Sequence, residues 1–283
     1  MPASILNGSA ISKNIKARLK EEISVMERKP GLAVLMVGAN PAGLVYVRNR
    51  AKACQAVGID TFEVHLPYGA SEEEVIAEIE KLNADDSVDG ILVECPLPAH
   101  INQERVLRYL RSDKDVDGIT VENSGKLFTK GAGFVPCTPY GVMALIKETR
   151  IPIRGKTAVV VGRSSVVGKP MAMMLLQEDA TVTLTHSKTI DLGSYTRQAD
   201  ILVVAVGKAG LITQDMVKPG AIVIDVGINI TDQGKMVGDV DYDKVSQIAG
   251  WLTPVPGGVG PVTVAMLLQN TLTAAKKHMG LCN

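Results

Sequence analysis

Apolar residues return every three or four positions at the start of the chain, at Ile11, Ile15, Leu19, Ile23 and Met26, with charged side chains between them. This period predicts an amphipathic helix. The unbroken apolar run 31–37 then predicts a strand buried on both faces. Residues 41–57 read as a helix closed by Gly58, and 61–65 alternate as a strand. Ser71 and Glu74 form a capping box for a helix running to about Asn83. Residues 89–95 make a third strand, stopped by Pro96-Leu97-Pro98, and 102–110 a short helix. The first half is thus β-α-β-α-β-α, the rhythm of a parallel, three-layer unit.

That rhythm breaks over 113–138, which hold Asp113, Asp115, Asp117, Gly118, Gly125, Gly131, Gly133 and Pro136. A long loop is predicted there, and loops of that length are usually functional. A helix near 140–149 follows, then the β-branched strand 157–161. Next come a glycine turn from Gly162 to Gly168 and a helix with Pro170 in its first turn. Strands near 181–185, 201–206 and 221–226, a proline- and glycine-rich segment 254–261 and a helix over 262–278 complete the chain. The predicted fold is α/β with two three-layer domains, the C-terminal one a Rossmann-type dinucleotide-binding domain. A cleft between the two is the expected place for a small molecule.

Composition narrows the chemistry. Among 283 residues the formal net charge is zero and only 4% of side chains are aromatic. A large nucleic-acid footprint needs a basic excess and stacking platforms need aromatic rings, so no nucleic-acid partner is expected. Cys54, Cys95, Cys137 and Cys282 are far apart, without the spacing of a zinc site, and no metal is expected. The chain shows no leader pattern and no apolar run of spanning length, which predicts a cytoplasmic protein with no membrane partner.

The strongest chemical signal is the turn Gly162-Arg163-Ser164-Ser165-Val166-Val167-Gly168 between a buried strand and a helix. Glycines let backbone approach a pyrophosphate, and the helix start offers N–H groups and a positive dipole end. Read alone, the G-x5-G spacing also fits a plain strand-to-helix turn. The next strand adds information. An NAD site usually ends it with an acid that holds the ribose hydroxyls. Here His186-Ser187-Lys188 stand instead, with Arg163 in the turn. A guanidinium fork and a hydroxyl suit a 2′-phosphate, so the cofactor is predicted to be NADP.

Seven motifs then occur in order: Asn40-Pro41-Ala42 with Tyr46-Val47; the strand 89–93 with Pro96-Leu97-Pro98; Asp113 to Gly118; Pro136 to Pro139; the turn from Gly162 to Gly168; Ile224 to Asn229; and Pro254 to Pro261. Together they resemble the methylenetetrahydrofolate dehydrogenase/methenyltetrahydrofolate cyclohydrolase family over about residues 3–278. The resemblance implies a homodimer acting on tetrahydrofolate derivatives. It implies a folate-binding catalytic domain at 1–139 plus 262–283 and an NADP-binding domain at 140–261. Its implied catalytic positions are Tyr46, Arg50, Glu94 and Asp117. Tyr46 would stack on the folate, Asp117 would accept from pterin N–H groups, and Pro256, Gly257 and Gly258 would approach the flat ligand. The expected cofactor residues are Gly162, Arg163, Ser164, Val167, Gly168, His186, Ser187, Gly207, Ile228 and Thr263.

The sequence departs from the family pattern where protons move. The family's lysine position is Arg50, its glutamine position is Glu94, and a usual serine is Gly43. Tyr46 and Arg50 are i and i+4, on one helix face. A guanidinium stays charged and cannot serve as a base. Glu94 either pairs with Arg50, conserving geometry while adding charge, or becomes the base itself. Pairing is favoured here, since a carboxylate held by a cation is a weaker base. The expectation is a retained dehydrogenase and a weak cyclohydrolase. Two rivals remain at this point: another Rossmann dehydrogenase, which lacks a well-placed His or Lys, and a folate-binding paralogue without turnover, which the intact turn disfavours.

Overall fold

The structure, a computed structural model, describes residues 2–38 and 50–281. It opens with a two-residue strand, β1 (Ser4–Ile5), and the helix Gly8–Ser24. The chain divides into two compact units, one of residues 14–137 and 264–283, the other of residues 1–13 and 138–263.

The first of these carries a three-stranded parallel sheet of β2 (Gly31–Val37), β3 (Asp60–Leu66) and β4 (Gly90–Val93), in the order β3-β2-β4. Ala33 and Leu35 of β2 and Ile91 and Val93 of β4 pack with Val75, Ile76, Ile79 and Leu82 of the helix Glu72–Ala84. Burial of each such Leu, Ile or Val contributes about 1.5–3 kcal/mol, which makes this apolar layer the main cohesive force. The expected capping box is formed, with the Ser71 hydroxyl accepting from Glu74 N–H and Glu74 accepting from Ser71 N–H. Asp89 is wholly buried just before β4. It accepts from Arg28 at 2.6 and 2.7 Å, from Gly31 N–H at 2.9 Å, and lies 3.1 Å from His278 Nδ1.

The other unit is a six-stranded parallel sheet in the order β1-β11-β8-β7-β5-β6. Its members besides β1 are β5 (Thr157–Val161), β6 (Thr181–Thr185), β7 (Ile201–Val204), β8 (Ile222–Asp225) and β11 (Trp251–Leu252). β9 (Asn229–Ile230) and β10 (Met236–Val237) form a separate antiparallel pair. Strands β7 and β8 are buried along their whole length, as a sheet covered on both faces requires. The order reverses between β5 and β7: β6 lies on one side of β5, and β7, β8 and β11 on the other. Doubly wound sheets bind ligands at such a reversal, beyond the carboxyl ends of the strands.

The structure corrects several expectations. The stretch 113–138 holds the helix Val121–Phe128, capped by Thr120, and is not one long loop. The last helix begins at Val259, inside the proline- and glycine-rich segment. The helix expected at 102–110 covers Gln103–Leu107, capped by Asn102. By its contacts the segment 1–13 groups with the six-stranded unit, where Ser4 and Ile5 of β1 pair with Trp251 and Leu252 of β11. Residues 41–49 of the helix expected at 41–57 lie outside the described residues, while 50–57 are helical.

Candidate active site

In the six-stranded unit, four loops leave the carboxyl ends of β5, β6, β7 and β8, and most of the expected cofactor residues sit on them. The first is the glycine turn. Gly162 has φ +122°, and a Cβ there would stand 2.2 Å from Ala205 O, so the loops after β5 and β7 meet without a side chain between them. A Cβ on Gly168 would stand 2.0 Å from Gly162 O. Ser164 Oγ accepts from Val167 N–H at 3.2 Å and Gly168 N–H at 3.4 Å, folding the turn onto the start of the helix Gly168–Gln177. Arg163 is exposed.

Gly162 N–H donates to Thr185 O at 3.0 Å, which brings the turn beside the end of β6. His186 Nδ1 accepts from Lys188 N–H at 3.2 Å, and Ser187 and Lys188 are exposed. Arg163, Ser187 and Lys188 therefore stand on adjacent loops with no carboxylate in the 186–188 turn. That donor set, with a turn too tight for a Cβ at Gly162 and Gly168, fits a phosphorylated dinucleotide. Gly207, with φ +67° and open space where a Cβ would stand, follows β7. Ile228, 56% exposed, follows β8. Thr263 is held differently, its hydroxyl 3.2 Å from Val259 O and 3.5 Å from the Thr138 hydroxyl. Pro256, Gly257 and Gly258 belong to this same unit. Gly257 O accepts from Ser9 N–H at 3.1 Å, and a Cβ on Gly8 would stand 1.7 Å from Gly258 O.

The other unit gathers Arg50, Glu94 and Asp117. Arg50 is buried on the helical stretch 50–57, and Glu94 directly follows β4. Their side chains pair at 2.8 Å between Nη1 and Oε2. Both charges act on Asp117, whose carboxyl is raised to about 6. Burial is the main cause; Asp115 and Glu94 push the same way, while the Cys137 thiol and Arg50 oppose. Tyr46 lies outside the described residues.

The three aspartates of the 113–117 segment have separate jobs. Asp113 pairs with Arg111 near the surface. Asp115 is buried and accepts from Ile119 N–H, Thr120 N–H and Asn123 Nδ2, fixing the following turn. Asp117 alone shares its surroundings with Arg50 and Glu94. Two residues that sequence reasoning missed support it. Cys137 Sγ donates to Val116 O at 3.3 Å, and burial pushes its thiol well above the usual range. Asn270 Nδ2 donates to Val116 O at 2.8 Å and Val135 O at 3.2 Å. Neither has a local sequence signal, because their partners are more than 20 residues away.

A doubly wound sheet with a turn at its reversal closed by two glycines that admit no Cβ, joined in one chain to a unit bearing a buried charge cluster, defines a dinucleotide-dependent α/β enzyme. Comparison with known proteins sharpens that class. Residues 6–117 match the family model described as the tetrahydrofolate dehydrogenase/cyclohydrolase catalytic domain, and residues 136–279 match its NAD(P)-binding domain. The chain is 54% identical over 280 residues to the bifunctional protein FolD of Polynucleobacter asymbioticus, covering 98% of this chain and 99% of that one. It is similar to the crystal structure of the Campylobacter jejuni FolD methylenetetrahydrofolate dehydrogenase/cyclohydrolase, with TM-score 0.96, 49% identity and coverage of 97% and 99%. It is also similar to the Trypanosoma brucei enzyme complexed with NADP and inhibitor, with TM-score 0.94, 39% identity and 99% coverage of each chain. The chain belongs to the tetrahydrofolate dehydrogenase/cyclohydrolase family.

Proposed function

We propose that the protein oxidises 5,10-methylenetetrahydrofolate to 5,10-methenyltetrahydrofolate with NADP, and hydrolyses the product to 10-formyltetrahydrofolate only weakly. The observation that carries the first part is the glycine turn at the strand-order reversal, flanked by Arg163, Ser187 and Lys188. When bound, NADP supplies the hydride acceptor, and the folate ring nitrogens stabilise the methenyl cation left behind. The chain's own task in this step is alignment, which alone removes much of a barrier. Gly162 and Gly168 admit the pyrophosphate, Arg163 and Ser187 hold the 2′-phosphate, and Gly207 and Ile228 flank the rest of the cofactor. Asp117, ionised, accepts from pterin N–H groups, and Tyr46 stacks on the ring.

The second part rests on the Arg50–Glu94 pair. Hydrolysis of the methenyl cation adds water to the one-carbon centre, releases one proton and opens the ring. A group near the working pH must take that proton. Arg50 cannot, its guanidinium occupies Glu94 Oε2 at 2.8 Å, and Asp117, the carboxyl raised to about 6, is committed to the pterin N–H groups. The pair orients water without accepting its proton. The homodimer and the cytoplasmic setting belong to the same proposal and are supported by the family membership. The test follows NADPH absorbance after methylenetetrahydrofolate and NADP are mixed with the purified protein. NADPH formation is expected, and its absence refutes the proposal.

A further inference from the structure

Beneath the loops after β7 and β8 lie two buried carboxylates, Asp225 and Asp239, 3% and 0% exposed. Asp239 Oδ2 accepts from Val206 N–H at 2.7 Å and Gly207 N–H at 3.0 Å. Its Oδ1 accepts from Lys208 N–H at 2.8 Å and Asn229 Nδ2 at 2.9 Å. One side chain thus gathers three successive N–H groups of the loop after β7 and a side chain from β9, just after the β8 loop. Four donors fill the acceptor capacity of a carboxylate. Asp225 seats Asp239 in turn. Asp225 Oδ1 accepts from Asp239 N–H and Gly227 N–H, and Oδ2 from Val240 N–H, each at 2.9 Å.

Two glycines make the fit possible. A Cβ on Gly227 would stand 2.2 Å from Asp239 Cγ, and one on Gly238 would stand 1.9 Å from Asp225 Oδ2. The outer side of the clasped loops is open, since Gly207 and Lys208 are exposed and Ile228 is 56% exposed. The clasp therefore fixes from within the two loops that lie past the reversal, on the side of β5 away from β6. In a doubly wound site the second strand's end takes the adenosine ribose, so the far half of a dinucleotide crosses to the opposite side.

We infer that Asp239, seated by Asp225, is a positioning residue that sets the loops after β7 and β8 against the nicotinamide half of the cofactor. This inference rests on the NADP assignment above. It separates the two halves of the cofactor: Arg163, Ser187 and Lys188 serve the adenosine 2′-phosphate end, and the clasp serves the other.

The test compares binding of NADP and of adenosine 2′,5′-bisphosphate to the purified protein by calorimetric titration, with thermal melting as the check of folding. In Asp239→Asn, one oxygen becomes an N–H donor facing N–H donors. NADP affinity is expected to fall at least about tenfold, with adenosine 2′,5′-bisphosphate affinity unchanged. Unchanged binding of both ligands, or parallel loss of both, overturns the inference. If Asp239→Asn fails to fold, Asn229→Ala removes one donor of four. It is expected to weaken NADP about two- to fivefold and spare the bisphosphate; equal effects on the two ligands overturn the inference there too. Failure of the unaltered protein to bind NADP sinks the cofactor assignment itself, and this inference with it.

Discussion

Around Gly162 and Gly168 the chain relies on the absence of side chains, whereas around Arg50, Glu94 and Asp117 it relies on charge. The first region is backbone geometry: a turn too tight for a Cβ, set where the strand order reverses. The second is electrostatics in partial burial: a guanidinium–carboxylate pair beside a carboxyl raised to about 6. The two materials suit two kinds of chemistry. Moving a hydride asks for alignment, which backbone supplies without itself gaining or losing a proton. Moving a proton asks for a group that gains and loses charge near neutral pH, which a paired arginine does not, and the proposed reading commits Asp117, the carboxyl near that range, to the pterin.

The contrast can be broken at its steric end first. Gly168→Ala places a Cβ 2.0 Å from a backbone carbonyl oxygen, with no flexible side chain to yield. NADP affinity is expected to fall by about 100-fold or more, with folate binding to the free protein unchanged; normal NADP binding by this variant contradicts the geometric account. Next in size is Asp117→Asn. With Asp117 accepting from the pterin N–H groups as proposed, removing its charge should raise KM for the folate substrate by about 10- to 100-fold. The pH dependence has a definite sign. Asp117 is ionised above about 6 and protonated below, so folate binding is kept at neutral pH and lost as pH falls through about 6. The Asn variant should show no such step, and a step that persists there assigns it to another group. Smallest is Arg163→Ala, which should weaken NADP about tenfold while leaving NAD affinity unchanged. Equal loss for both cofactors removes Arg163 from the 2′-phosphate site.

What could be read from the sequence divides along the same line. The Ser71–Glu74 capping box and the close approach of Gly168 to Gly162 O are local, within a few residues, whereas the carbonyl that excludes a Cβ at Gly162 is Ala205 O, which only the fold brings near. The helix Val121–Phe128 escaped because it is only eight residues long and contains Gly125, with Val121 and Phe128 both largely exposed and Asn123 among its buried residues. The pairing of β1 escaped because β1 has two residues, and its partner, β11, lies at the other end of the chain. The pairing of Arg50 with Glu94 was legible only through the family resemblance, since 44 residues separate them. Asp225 and Asp239 were invisible as a pair, because their donors come from loops after two different strands. Of Asp113, Asp115 and Asp117, spacing alone could not say which was free of a structural task. Arg111, Asn123 and Cys137 decide that, and only the fold brings them in.

The claim that charge at Arg50 and Glu94 separates the two reactions is tested most directly by measuring both rates in one purified sample. NADP-dependent oxidation of methylenetetrahydrofolate should exceed hydrolysis of methenyltetrahydrofolate by about 10- to 100-fold. The double substitution Arg50→Lys with Glu94→Gln should close most of that gap by raising the hydrolytic rate alone. Comparable rates in the unaltered protein, or a double variant whose hydrolytic rate does not rise, contradict the account.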